Sequence, residues 1–192
     1  FDGIPIAIGN NGYHEIFIAK YNQSGNCIWA KAMGSLTQDY SGGAISDDQG
    51  NLYLAGFNGN GATFDTISVT AEGGFIAKYN QQGRSQWVKS ILGARPTAID
   101  LDLRNNIFIS GEFSNIINIG DSSFSSVGYT DLFFSMFDSS GNAQWANRGG
   151  GPLTDRINVL IADSRITSLG EVYSPAFLGH IPLDCNSTFI AD

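Results

Sequence analysis

Apolar and polar residues alternate in short runs along most of the chain, and turn residues separate these runs. In residues 75–80, FIAKYN, apolar and aromatic positions alternate with Ala and Lys, which is the period of a half-buried strand. A short turn containing Gly83 follows, and a second strand-like run surrounds Trp87. No stretch of 12 residues shows the 3.6-residue period of an amphipathic helix. The pattern predicts an all-β protein built from hairpins.

This hairpin recurs at a step of 58 residues without a gap. Residues 17–30, 75–88 and 133–146 read FIAKYNQSGNCIWA, FIAKYNQQGRSQWV and FFSMFDSSGNAQWA. The shared positions are Phe17, Phe75 and Phe133, then Gly25, Gly83 and Gly141, then Trp29, Trp87 and Trp145. A second hairpin pattern lies between them, at 44–57, 98–113 and 160–174. Each period therefore holds two hairpins, or four strands.

Four short antiparallel strands repeated every 40–60 residues or so are typical of a β-propeller blade. Labelled A to D from the centre outward, the strands of one blade are predicted near 43–47, 51–57, 74–80 and 85–91. The whole chain, 1–192, is expected to form one propeller segment. Its parts are a partial C–D blade at 1–32, blades at 41–91 and 96–148, and a partial A–B–C blade at 156–192, which ends in a further FIA at 189–191.

About three and a third blades make an incomplete ring, since a propeller needs roughly four or more blades to close. Two interpretations stay open: a piece of a larger propeller or multidomain chain, and a protein that closes the ring by self-association. Open sheet edges promote aggregation unless they are covered, which favours the first interpretation.

The repeat FIAKYNQSGNCIWAKAMG, followed by LTQDYSGGAISDDQGNLYLAGF, resembles the repeat of the bacterial SBBP β-propeller family. The resemblance covers nearly the whole chain and is strongest at 13–57 and 72–91. It implies a secreted or surface-exposed protein, often from Bacteroidota and often part of a large multidomain chain. It also implies a scaffold for interactions more than any single enzymatic activity.

Composition narrows the range of partners. The chain has ten Lys and Arg residues and eighteen Asp and Glu residues, so its net charge is −8, and it contains no basic cluster. This argues against nucleic acid and anionic membrane surfaces as partners. No window approaches 18 uninterrupted apolar residues, so no membrane-spanning helix is predicted. A low charged fraction of 15% and 24 Gly suit tight turns and uncharged blade interfaces.

The three tryptophans admit two interpretations, a platform that stacks on sugars or a packing position between blades. A residue that recurs at a fixed step in every blade favours packing, with the indole N–H finding a hydrogen-bond partner.

Matching carboxylates lie in two of the connections from strand D to strand A, as Asp39-Tyr40 and Asp155-Arg156. Paired carboxylates within about 5–10 Å could hydrolyse a glycosidic bond, so a polysaccharide hydrolase or lyase is the alternative function. Repetition explains their equivalence better than catalysis does. We therefore predict no catalytic residue and assign Asp39, Tyr40, Asp155 and Arg156 to an interaction face.

Metal and cysteine chemistry receive little support from the sequence. Residues 46–51, SDDQGN, could suggest calcium but lack the order of a calcium loop, so the Asp side chains are expected to bind turn amides. His14 and His180 have no partner at ligand spacing. Cys27 and Cys185 are open to a disulfide, a metal site or a role as small buried side chains. No cofactor is expected, with calcium as the alternative.

Topology indicates where recognition would occur. The A–B and C–D turns share one face of the propeller, and the longer B–C and D–A connections share the other. The B–C connections are 58–73, 114–130 and 175–188, and the D–A connections are 33–42, 92–97 and 149–157. Variable loops on a repeated frame are common sites of recognition. The prediction is a non-catalytic binding or structural module of a secreted or cell-surface bacterial protein, which recognises a protein or glycan through this second face. A purely structural spacer stays open as a further alternative.

Overall fold

The computed structural model describes residues 3–6, 13–162 and 166–172, and these contain sixteen strands and no helix. The strands are β1 Ile16–Tyr21, β2 Cys27–Met33, β3 Tyr40–Ser46, β4 Leu52–Asn58, β5 Ala62–Phe64, β6 Ile67–Val69, β7 Gly73–Tyr79, β8 Ser85–Ile91, β9 Ala94–Leu101, β10 Ile107–Phe113, β11 Ile116–Ile119, β12 Ser122–Ser125, β13 Asp131–Phe137, β14 Ala143–Gly149, β15 Asp155–Ala162 and β16 Ile166–Val172.

These strands form a partial β-propeller, as the repeat predicted. Two antiparallel four-stranded sheets, β3-β4-β7-β8 and β9-β10-β13-β14, are complete blades, which we call blades 2 and 3. The two-stranded sheet β1-β2 is the C–D half of blade 1, and β15-β16 is the A–B half of blade 4. Strand bounds mostly lie within a few residues of the predicted ones. The predicted strand at 189–191, together with His180 and Cys185, lies outside the described residues.

The C strands of blades 2 and 3 are buried on both faces, where the sequence predicted half-buried strands. In β7, Phe75 is 1% exposed and shares a cluster with Ile16 and Ile18 of β1. Ile76, the next residue, points the other way and joins Ile107 of β10 in a second cluster. Successive side chains of a strand face opposite sides, so each of these two C strands packs against both neighbouring blades. The period-2 pattern therefore reflects two apolar interfaces rather than one core face and one solvent face.

The three repeated phenylalanines do not share one environment. Phe75 and Phe133 are buried, but Phe17 is 56% exposed. Phe75 and Phe133 face the blade that precedes their own, and β1 belongs to the first blade in the described part of the chain.

A β-bulge lies at the same place in every A strand, opposite Gly56, Gly111 and Gly170 of the B strands. At this bulge neighbouring A strands touch. A Cβ built on Gly42 would lie 2.2 Å from the carbonyl oxygen of Pro96, and Thr97 Oγ1 donates a hydrogen bond to the Ile157 carbonyl at 3.2 Å. The A strands of blades 2, 3 and 4 therefore lie side by side around the propeller axis.

The sequence pattern predicted long loops for the B–C connections, and this is wrong for the two that the structure describes. Each of these contains a short hairpin, β5–β6 in blade 2 and β11–β12 in blade 3. The third predicted connection, 175–188, lies outside the described residues. The first hairpin is anchored by Phe64, which is fully buried with its ring 4.6 Å from that of Phe75. Its alternating pattern extends over only three residues per strand, too few to stand out from the surrounding polar residues.

Each hairpin lies against the outermost strand of its own blade and that of the preceding blade. Thr63 N donates a hydrogen bond to the Gly34 carbonyl at 2.8 Å, just beyond the end of β2. Lys31 of β2 forms a salt bridge of 2.6 Å with Asp65, which also accepts the amide of Ser85 at 3.3 Å. The hairpins thus tie adjacent blades together at the outer rim and cover part of their edge strands.

Candidate functional site

The A–B and C–D turns on one face share a single capping arrangement. In each of the five such turns that the structure describes, an Asp or Asn side chain accepts the backbone amides two and four residues further on, as Asp47 does from Gln49 at 3.0 Å and Asn51 at 2.8 Å. The five capping residues are Asn22, Asp47, Asn80, Asp102 and Asp138. The residue three positions further on has a positive φ in all five of these turns, and Asn105 takes the place that Gly occupies in the other four. Asp47, one of the residues in SDDQGN that could suggest calcium, therefore binds backbone amides of its own turn.

Hydrogen bonding lowers the pKa of the three capping aspartates. At Asp138 the backbone amide and side chain of Asn142 are the main cause. At Asp47 and Asp102 burial opposes the change and would raise the pKa, but the side-chain and backbone hydrogen bonds from Asn51 and Asn106 outweigh it. This face is therefore made of locally satisfied turns.

Two of the repeated tryptophans lie where one blade meets the next. Trp29 Nε1 donates a hydrogen bond to the Gln81 carbonyl at 3.1 Å, and a Cβ built on Gly83 would lie 3.0 Å from the Trp29 ring. In the next blade, a Cβ on Gly141 would lie 3.1 Å from Cζ3 of Trp87. Both indoles thus cover the C–D turn of the following blade.

Each of the later tryptophans also meets an aromatic residue on the B strand of its own blade. The ring centroids of Trp87 and Tyr53 are 6.3 Å apart, as are those of Trp145 and Phe108. Gly25, the first of the repeated glycines, has no atom within 4 Å of a built Cβ. All three tryptophans are half-buried packing residues, and Trp29 and Trp87 each pack on a turn glycine of the following blade.

Asp39 connects two loops of blade 2. Its side chain is 2% exposed, with Oδ2 accepting the Ser35 amide at 2.7 Å and Oδ1 accepting the Gly59 amide at 2.9 Å. The carboxylate therefore holds the D–A connection against the start of the B–C connection and does not face solvent.

Asp155 is fully buried at the equivalent place in blade 4, where it accepts the Gly151 amide at 2.7 Å. A second buried carboxylate, Asp131, was not singled out from the sequence. A Cβ built on Gly150 would lie 2.8 Å from Asp131 Oδ1 and 2.7 Å from Asp155 Oδ2, so the two carboxylates approach one another across Gly150. Arg148 Nη1 donates to Asp131 Oδ2 at 3.1 Å. The structure does not bring Asp39 and Asp155 together as a pair, because they belong to equivalent positions two blades apart.

The other two predicted face residues, Tyr40 and Arg156, lie at the inner end of the B–C and D–A face. They occupy equivalent positions on A strands, and the blade between them places Arg95 there. Their B-strand register partners are Phe57, Glu112 and Glu171. We call these six positions the inner rim. Arg95 was missed because its segment, ILGARPTA, lacks the Asp-Tyr pair; alignment on Gly56, Gly111 and Gly170 would have found it.

Side chains of the inner rim interact from blade to blade. The Arg95 guanidinium carbon lies 4.8 Å from the centroid of the Tyr40 ring, within cation–π range. Tyr40 also meets His14 edge-on at 5.9 Å, and its hydroxyl donates a hydrogen bond to the Gln38 side chain. Burial raises the pKa of Glu112, and the nearby charges of Arg95 and Arg156 oppose that rise.

A cleft of about 360 Å³ opens beside the inner rim between blades 2 and 3. Phe57 and Glu72 line it from blade 2, and Arg95, Glu112 and Ser114 line it from blade 3. It lies on the face that carries the B–C and D–A connections. Three or more potential metal ligands come together nowhere in the described residues.

Exposed apolar side chains flank the cleft on the same face. Leu92, in a D–A connection, is 50% exposed, and Tyr129, in a B–C connection, is 76% exposed. On the turn face Leu103 is 98% exposed and stands apart from any cleft-lining residue. Isolated exposed apolar residues are ordinary on protein surfaces, whereas apolar residues beside a polar cleft are typical of recognition surfaces.

The chain has a relative among proteins described as WD repeat proteins. No model of a known protein family matches it. The described residues contain no helix, and hence none long and apolar enough to cross a membrane. It is similar to the uncharacterized WD repeat-containing protein L264 of Acanthamoeba polyphaga mimivirus, at 27% identity over 190 aligned positions. The alignment covers 77% of this chain and 14% of the viral protein. WD repeats build β-propellers, the fold that the structure shows.

Proposed function

We propose that the chain is a non-catalytic module of a larger protein and that it binds a protein partner through the face carrying the B–C and D–A connections. The observation that carries the proposal is the cleft beside the inner rim, where Glu112 is partly buried between two blades. Exposed Leu92 and Tyr129 add apolar contact area on the same face. The similarity to a WD repeat protein supports it further, because WD propellers commonly serve as platforms for other proteins.

A catalytic role on polysaccharide finds no support in the placement of the candidate carboxylates. Asp39 and Asp155 are 2% and 0% exposed and accept backbone amides of their own connections. A general acid or base must reach the substrate within hydrogen-bond distance. These two side chains are therefore suited to holding loops, and we assign them that role.

The test compares capture of proteins by the full chain and by two surface variants. In the first variant Leu92 and Tyr129 are both replaced by Ser; in the second, the control, Leu103 on the turn face is replaced by Ser. We expect cross-linking mass spectrometry to identify proteins that the wild type and the control retain and the face variant loses. Equal retention by both variants would contradict the proposed face. If no protein is captured but the wild type and the control bind a glycan array and the face variant does not, the partner is a glycan and not a protein.

The alternative enzyme is tested separately, by the release of reducing ends from a panel of polysaccharides. We expect no release. Release that is abolished in the double variant Asp39→Asn and Asp155→Asn, with folding retained, would overturn the non-catalytic assignment.

Location is a separate proposal. The resemblance of the repeat to the SBBP family leads us to propose that the parent protein is secreted or exposed at the surface of a bacterial cell. Antibodies raised against the chain, applied to fractionated cultures of the source organism, should find it in the medium or at the surface; detection inside the cells alone would contradict this.

A further inference from the structure

The cleft between blades 2 and 3 has a carboxylate on each wall. Glu72 precedes β7 of blade 2, and Glu112 lies near the end of β10 of blade 3. The salt bridges among the described residues join Lys31 to Asp65 and Arg148 to Asp131, so neither cleft carboxylate takes part in one. Neither side chain accepts a hydrogen bond from the described part of the chain. The cleft therefore presents two acceptor groups without a protein donor.

Arg95, the cation among the residues that line the cleft, makes its contact elsewhere. Arg95 lines the cleft, but its guanidinium lies over the Tyr40 ring, 4.8 Å from the centroid. It forms no salt bridge with Glu112, although the two residues are register partners on adjacent strands. Burying a carboxylate costs free energy, and burial raises the pKa of Glu112 although the charges of Arg95 and Arg156 oppose that rise. A ligand cation would remove that cost.

The size and lining of the cleft limit what that cation can be. A volume of about 360 Å³ is near the lower end of ordinary ligand pockets and can admit one or two side chains. Phe57 gives the cleft an aromatic wall, which can contact the methylene stem of a basic side chain or stack on a guanidinium. A metal ion is less well matched, since no third metal-ligating side chain joins the two carboxylates among the described residues. The net charge of −8 would also steer a basic partner toward the chain.

We propose that this cleft binds a basic side chain, lysine or arginine, presented by the protein partner. The proposal rests on the proposed function and specifies its chemistry: the guanidinium or ammonium sits between Glu72 and Glu112, and Phe57 packs on the apolar part of the same side chain. The acidic walls then act as the specificity element of the face, and the exposed apolar residues beside the cleft supply additional contact area.

The experiment uses small probes with the full chain labelled with ¹⁵N. The chain is titrated with Nα-acetyl-arginine N-methylamide, the equivalent lysine derivative, and the citrulline derivative, which keeps the shape of arginine without its charge. We expect saturable shifts of the amide signals at Gly73, Gly93 and Glu112 with at least one of the two cationic probes. The citrulline probe should cause much smaller shifts. Equal shifts with arginine and citrulline, or shifts confined to the turn face, would overturn the proposal.

Variants then test the two walls. Glu112→Gln should weaken binding of the cationic probe by about tenfold or more, the usual loss when a hydrogen bond to a charged group is removed. Glu72→Gln should weaken it in the same direction. Asp48→Asn removes the same charge from an exposed position on the turn face and should leave binding within about twofold. Unchanged binding in both Glu variants, with their amide spectra intact, would overturn the proposal.

Failure of this inference and failure of the proposed function give different results. If protein capture depends on Leu92 and Tyr129 but no probe binds in the cleft, the proposed binding of a basic side chain is contradicted and the interaction face is supported. If the probe binds at Glu112 but the wild type and the Leu92 and Tyr129 variant capture the same proteins, the cation site is supported and the proposed protein-binding face is contradicted.

Discussion

The indole nitrogen of Trp29 donates a hydrogen bond to the carbonyl oxygen of Gln81, 3.1 Å away, across the boundary between blades 1 and 2. The bond joins strand D of one blade to the C–D turn of the next. The repeated Trp and the repeated Gly are therefore two sides of one contact, which explains why both recur at the same step. The first two predictions test this contact.

Trp29→Phe should lower the free energy of unfolding by at least about 0.5–1.5 kcal/mol, because an aromatic ring is kept but the hydrogen bond to Gln81 and part of the indole contact area are lost. Urea denaturation of the full chain measures the change. Gln82→Ala, an exposed substitution in the same turn, should stay within about 0.5 kcal/mol of the wild type. If Trp29→Phe is as stable as this control, the hydrogen bond does not contribute to blade docking.

Gly83→Ala should destabilise the chain more than Gly25→Ala does. Both glycines occupy the same turn position with positive φ, 72° and 80°, so both substitutions carry the same backbone strain of about 1 kcal/mol. Only at Gly83 does the added methyl group meet a neighbour, the Trp29 ring at 3.0 Å. Overpacking of this kind costs about 1–3 kcal/mol more, unless the half-buried indole can shift. Equal losses in thermal or urea unfolding would show that the indole moves aside without cost.

Asp39→Asn should lower stability by about 1–3 kcal/mol, because the amides of Ser35 and Gly59 would face a side chain that can accept through one oxygen only. Hydrogen exchange gives the local readout, and both amides should exchange faster. Asp48→Asn, an exposed change of the same chemistry, is the control. Unchanged exchange at Ser35 and Gly59 would mean that the carboxylate does not hold the two connections together.

The stability of the chain should fall in acid, and the turn aspartates should account for part of that fall. Asp47, Asp102 and Asp138 have pKa values lowered from the ordinary 3.8, so their stabilisation is fully present above that value. It is lost as the pH falls through the lowered folded pKa values.

Replacing these three residues by Asn should flatten the decline of the urea midpoint between about pH 5 and pH 2. Asp48→Asn, an exposed change of the same chemistry in the turn of Asp47, is the control with which the triple variant is compared. An identical slope in the triple variant would place the acid sensitivity elsewhere.

The fold could be predicted from sequence because its strongest signal is local and repeated. The hairpin around Phe75 and Trp87 recurs without gaps, and a blade is the structure in which such a step places equivalent residues at equivalent interfaces. The outer hairpins could not be predicted in the same way. In residues 62–64, three residues alternate, and what holds Phe64 in place is the ring of Phe75, eleven residues away.

The candidate site was only partly accessible from sequence, for a different reason. Tyr40 and Arg156 were found because they follow repeated aspartates, whereas Arg95 follows Ala94 and carries no such signal. Glu112 owes its position to strand register and its raised pKa to burial between blades, which no local pattern encodes. Asp131 was missed because Gly73 occupies the equivalent position in blade 2.

Main-chain atoms make the contact between neighbouring A strands, whereas the side chains that differ between blades lie outside this contact. At Gly42 the space for any side chain is taken by the backbone of Pro96, so the distance between these strands is determined by main-chain atoms. Inner-rim residues such as Tyr40, Arg95 and Arg156 point away from this constraint and differ from blade to blade although their backbones are equivalent. One scaffold can therefore exchange its inner-rim residues blade by blade, and the chemistry of this face can change during evolution while the way the blades fit together stays the same.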